Sequence, residues 1–135
     1  RELPEVIAHL QAATGSGGFF FGFGSGQDFA DSERVIAFAD AGGLGLPDRD
    51  YYLKDDRKSK DIRTRYLAHI ATMLELHGSK PEAARRAAGR VLALESALAR
   101  VSLSRVDRRD PHKQFNKVDA KGLAVTHLLA LAGGG

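Results

Sequence analysis

Two helix-patterned segments with almost no linker between them constrain this chain more than any other feature. In "SKDIRTRYLAHIATMLELHG", Ile62, Tyr66, Ile70, Met73 and His77 fall on one stripe, and Leu67 and Leu74 widen it. Gly78 then stands where a helix needs a C′ residue free of a Cβ. Directly after it, "SKPE" reads as a capping box, with Ser79 as N-cap and Glu82 at the third helical position. The helix it opens runs to about Ser102, with Ala84, Ala87, Ala88, Val91, Leu94, Leu98 and Val101 expected inside. So short a joint imposes an antiparallel helical hairpin, about 60–78 and 80–102. The alanines at 83, 84, 87 and 88 let the two backbones approach closely.

The flanks are less regular. "LPEVIAHLQAA" (3–13) reads as a short helix, with Pro4 in its first turn. Phe19 to Phe23 and Arg34 to Ala39 read as two strands joined by the turn-rich "SGQDFADSE". An antiparallel pair of this kind is marginal alone and needs cover. Asp40 to Asp56 reads as loop, "LSRVDRRDPHKQFNKV" as a polar connection, and Asp119 as the cap of a last helix, "AKGLAVTHLLALA". The expected fold is mainly α with a small β hairpin, the helical hairpin being accompanied by short flanking helices. The chain opens at Arg1 and closes on "LLALAGGG", which reads as a piece of a longer protein, 1–135 forming one fragment.

Composition narrows the chemistry. The net charge of +3 comes from 20 basic and 17 acidic residues, interleaved nearly everywhere. "RVDRRD" (105–110) therefore reads as a solvated, partly paired loop rather than a phosphate patch, and no nucleic-acid partner is expected. Cysteine is absent, which removes disulfides and thiolate metal sites. No apolar run reaches the ~20 residues of a membrane helix, and "RELPEV" lacks the basic-then-apolar pattern of a leader.

Catalytic and ligand motifs fail in turn. His9, His69, His77, His112 and His127 include no pair four apart, so no H-E-x-x-H zinc helix exists, and each reads as a surface or core histidine. "FGFGSG" and "GGLGLP" approach a dinucleotide glycine loop without matching it, and Pro47 with a charged loop follows where a helix N-terminus would have to stand. Glu95, inside the apolar "VLALESALA", has two readings: a buried carboxylate available for acid–base work, or a helix-face carboxylate paired with Arg90, Arg100 or a loop arginine. Charged side chains are seldom buried, which favours the second.

Taken together, "FGFGSGQDFADSERVIAFAD", "GGLGLPDRDYYL", "RYLAHIATMLELHG", "VLALESALA" and "RRDPHKQFNKV" resemble the neprilysin and endothelin-converting-enzyme family of zinc metallopeptidases, above all its bacterial, PepO-type members. The resemblance spans about Phe19 to Val118. One departure is Ala41, where the family usually has Gln before the paired glycines. The family's enzymes are large, two-lobed and mostly helical, and their zinc ligands and catalytic residues lie in a C-terminal lobe. The resemblance covers only the N-terminal, non-catalytic region, so no catalytic, cofactor or metal residue carries over. It implies a parent zinc endopeptidase acting on peptides, with zinc in the parent and none in this segment. It also implies that the segment belongs to a helical lobe that encloses the active-site cavity and limits substrate size.

Gly42, Gly43, Gly45, Pro47, Arg49, Asp50, Tyr51, Tyr52 and Glu95 would then be a structural signature. Arg49 would pair within its loop or brace a neighbouring helix, and the two tyrosines would bury their rings against helices of the same lobe. The partner implied is the remainder of the same polypeptide, with self-association of the fragment through apolar surface the parent covers. The family's bacterial members are often exported to the periplasm or anchored at the envelope. The competing reading is a free-standing helical module that binds protein or peptide without catalysis.

Overall fold

The computed structural model describes residues 2–14, 21–119 and 121–122. The chain divides into two compact units, one ending at Ser104 and the other starting at Arg105. In the first unit, α1 (Glu2–Thr14) is followed by strands β1 (Phe21–Asp28) and β2 (Asp31–Ala41), a helical turn α2 (Asp50–Leu53), and the long helices α3 (Arg57–Leu76) and α4 (Pro81–Val101). The expected mainly α fold with one β hairpin is the observed one.

The α3–α4 hairpin turns as its joint requires. Gly78 takes φ +100°, a left-handed conformation costly for any residue with a Cβ. Ser79 N–H donates to the Leu74 carbonyl at 3.0 Å and Gly78 N–H to the Glu75 carbonyl at 2.9 Å, the paired bonds of a Schellman motif. The capping box does not form. The N-cap of α4 is Lys80, without a side-chain cap, because Pro81 takes the first helical position and moves the boundary one residue past Ser79. The start of α3 also differs from expectation. Asp56 is its N-cap, accepting from Ser59 N–H at 3.0 Å and from the Ser59 hydroxyl at 2.7 Å. Those bonds hold the Asp56 carboxyl below the usual carboxylate range.

Ala84, Ala88 and Ala99 are fully buried and Ala71 nearly so, which is how the two helices come close. Four expected core positions lie outside: Met73 is 53% exposed, Leu94 49% and Val101 82%, and His77 is exposed. The buried stripe is rotated toward Ser59, Ala71 and Glu95 because the segment before α3 packs on that side.

The strands run farther than expected, through most of "SGQDFADSE". Phe21 faces Ala41 and Gln27 faces Val35 in antiparallel register, with an irregularity between Gln27 and Asp28. The polar tip satisfies its own backbone: Asp28 Oδ1 accepts from Ala30 N–H at 2.9 Å and the Gln27 amide donates to the Ser32 carbonyl at 2.7 Å. Phe29 meets Phe38 edge-on at 5.6 Å. Phe38 lies across Gly26, where a Cβ would come within 3.2 Å of its ring.

In the second unit, the connection expected to be irregular holds a 3-10 turn (Asp107–Arg109) and a short helix α5 (Pro111–Gln114). Lys113 pairs with Asp107, and Asp110 caps α5 through His112 N–H at 3.0 Å. Asp119 Oδ1 accepts from Gly122 N–H at 2.6 Å, the cap expected there; the rest of that helix lies outside the described residues. No helix among the described residues is long and apolar enough to cross a membrane.

Candidate functional site

The signature stretch, Gly42 to Leu53, is a strap laid across α3 and α4. Its local shape comes from its own polar groups. Gly43 has φ +79°. Asp48 Oδ1 accepts from Asp50 N–H at 2.9 Å, and Tyr52 N–H donates to the Arg49 carbonyl at 3.0 Å. These bonds wind "DYYL" into the turn α2, where the sequence pattern suggested only loop. Asp50 pairs with Lys54 at 2.7 Å, one turn on, and Pro47 is exposed.

The strap is tied down at one cluster and two brackets. Glu95, only 9% exposed, points from α4 beneath the strap. Its Oε2 accepts from the Tyr52 hydroxyl at 2.5 Å and from Gly45 N–H at 3.3 Å, and its Oε1 accepts from the Tyr66 hydroxyl of α3 at 2.9 Å. Tyr52, 6% exposed, also accepts from Leu46 N–H at 2.8 Å, so its hydroxyl is used as both donor and acceptor. Gly45 has no room for a side chain, since a Cβ there would stand 1.9 Å from the Tyr66 hydroxyl oxygen. Burial, followed by the bond to Glu95, pushes the Tyr66 hydroxyl up to about 12 and raises Tyr52 further.

The brackets are arginines. Arg49 donates to the Ser102 carbonyl and so caps the C-terminal end of α4, while its Nε is enclosed with no hydrogen-bond partner. Arg63 of α3 donates to the Tyr51 and Lys54 carbonyls, both at 2.7 Å.

The preferred sequence reading of Glu95 is corrected here. It forms none of the ion pairs found among the described residues, and its partners are hydroxyls and an amide. Arg90 and Arg100 each lie five residues away, about 140° around the helix, so neither reaches it. Arg49 braces a helix, one of the two roles expected of it. Arg63, Tyr66 and Ser102 were not singled out as partners of the strap. Tyr66 carried a usable signal, because a tyrosine in a buried stripe needs a partner for its hydroxyl and Glu95 is the acid inside the facing apolar stretch.

Apart from one carboxylate the cluster is neutral, and its bonds join the strap to both α3 and α4. Among the described residues no group of three or more His, Cys, Asp or Glu could hold a metal ion. His9, His69, His77 and His112 are all exposed, and His127 lies outside the described residues.

A family model described as Peptidase family M13, for the N-terminal region, matches residues 1–130. The chain belongs to peptidase family M13. Within that family it is 35% identical over 122 residues to endothelin-converting enzyme 1 of Cavia porcellus, covering 90% of this chain and 15% of that enzyme. To the endothelin-converting enzyme homolog of Locusta migratoria it is 32% identical over 117 residues, covering 87% of this chain and 16% of the relative. The crystal structure of Mycobacterium tuberculosis zinc metalloprotease Zmp1 with an inhibitor superposes with a TM-score of 0.71 and 35% identity, over 81% of this chain and 16% of that one. The M13 chain described here therefore spans about a sixth of the relatives it matches. It corresponds to the N-terminal region of a zinc metallopeptidase family, as the sequence resemblance implied.

Proposed function

We propose that the chain is a structural segment of the N-terminal lobe of a zinc-dependent endopeptidase, a lobe that encloses the active-site cavity and limits the size of peptide admitted. The family match over residues 1–130 carries this reading. The sequence of that stretch has no H-E-x-x-H helix, so zinc and peptide-bond chemistry fall to the remainder of the same polypeptide. The signature residues Gly42, Gly43, Gly45, Pro47, Arg49, Asp50, Tyr51, Tyr52 and Glu95 act in this reading as the joint that fixes the strap to α3 and α4. Action in the periplasm or at the envelope belongs to the same proposal and rests on the resemblance to bacterial members.

The test uses the intact polypeptide. It should hold about one zinc per chain, lose peptide hydrolysis on chelation and regain it on zinc addition. Its rate should fall steeply from short peptides to long unfolded proteins carrying the same cleavage sequence. Equal rates across that series would sink the enclosing-lobe reading.

A further inference from the structure

We propose that the outer edge of β2 is an interaction surface for a second copy of the same polypeptide, the two β2 strands pairing antiparallel about Ala37.

Among the described residues the sheet has two strands only, in the order β1–β2, and no helix packs against either. An edge that is to stay unpaired is normally blunted along its length by lysine, proline, an inward charge or a bulge. β2 has neither Lys nor Pro from Asp31 to Ala41, and the irregularity of the pair lies at the tip, by Gln27 and Asp28. The middle of β2, Val35 to Ala39, is wholly apolar. Val35 is 75% exposed, and Ile36 and Phe38 are half-buried. A strand of this kind offers its unused backbone groups to another strand.

Charge identifies the partner strand. Arg34 stands three residues before Ala37, and Asp40 three residues after it. Two copies paired antiparallel with Ala37 opposite Ala37 set each Arg34 opposite the partner's Asp40, Val35 opposite the partner's Ala39 and Ile36 opposite the partner's Phe38. Arg34, Ile36, Phe38 and Asp40 share one face, the face on which β1 presents Gly22, Gly24 and Gly26. Two isoleucine–phenylalanine pairs therefore meet at the centre with an ion pair at each end, both favourable cross-strand combinations. Asp31, which Arg34 meets at 3.5 Å within the chain, is exposed and holds it weakly. Other arrangements fail on the same residues. A parallel pair in register sets Arg34 beside Arg34 and Asp40 beside Asp40, and a slip of one residue sets Asp40 against Glu33 or Val35. β1 cannot select a partner in this way, because "FGFGSG" (21–26) has no charge and three glycines.

The test uses the intact polypeptide and reads both association and register. Sedimentation should show a reversible dimer. Arg34→Asp should raise its dissociation constant about tenfold or more, since two ion pairs become two like-charge pairs, and adding Asp40→Arg should restore it. Circular dichroism checks that both variants fold. Ala37→Cys should oxidise to a disulfide-linked dimer, because directly opposed Cα atoms lie about 4.5 or 5.5 Å apart, within disulfide reach. Ala39→Cys should not, because its counterpart lies four residues along the partner strand, ~13 Å away. A polypeptide that stays monomeric, its edge covered by a strand of its own, overturns the proposal. So does a dimer indifferent to the charge changes, or one that links through position 39 as readily as through position 37. None of these four positions belongs to the signature strap, so peptide hydrolysis measured on the same variants tests the functional reading separately.

Discussion

Gly45 occupies a place that no other residue fits, because its amide must reach Glu95 while the Tyr66 hydroxyl fills the space a Cβ would take. Gly45→Ala should displace that hydroxyl and lower stability by about 1–3 kcal/mol, read as a drop in urea midpoint. Adding Tyr66→Phe should cost less in the alanine background than in wild type, since the displaced bond is already lost; strictly additive effects would contradict the shared site. The same cluster sets an alkaline limit. Tyr66 ionises near pH 12 in the folded protein and near the ordinary value of ~10 when unfolded, and Tyr52 is shifted the same way. The contribution of Tyr66 is complete below about pH 10 and is lost as pH rises through about 12, and that of Tyr52 persists to higher pH. Urea midpoints should hold to about pH 9.5 and then fall, the fall being shallower in Tyr52→Phe/Tyr66→Phe. A wild-type midpoint flat to pH 12 would refute the assignment. Glu95 shows where reading a sequence stops: its exceptional position was visible, but its partners come from segments 29 to 50 residues away.

The helical hairpin was legible because its joint is a local device. Gly78 and the apolar stripes on either side of it were enough to read the turn, although the cap was misplaced at Ser79 because Pro81 takes the first helical position. Gly78→Ala keeps both helices and strains only the left-handed link, so it should cost about 1–2 kcal/mol in thermal or urea unfolding without loss of helical circular dichroism. A neutral effect would mean the joint relaxes more freely than its bonds imply. Boundaries were less legible. The turn α2 depends on Asp48 receiving a backbone amide, and the strand ends depend on Gln27 and Asp28 closing the tip. Side chains of these types serve equally well in open loops, so composition alone pointed to loops. Met73 and Val101 show a further gap: periodicity finds apolar lines, but a helix with two such lines does not say which is covered first.

For the whole molecule, the family was readable from order and wording, and the architecture follows it. In about a sixth of the length of its relatives, the chain carries both the strap and the helical hairpin.

The ties of the strap have one property in common. Glu95 bonds neutral hydroxyls and an amide, while Arg49 and Arg63 bond neutral carbonyls. None of these hydrogen bonds joins two opposite charges; the ion pair that Arg63 adds with Asp55 at 3.6 Å involves an exposed carboxylate and is the part that dissolved salt screens. Surface pairs such as Lys54 with Asp50 or Arg65 with Asp61 fade as counter-ions accumulate. The buried ties of the strap therefore depend far less on ionic strength than the pairs at its surface do.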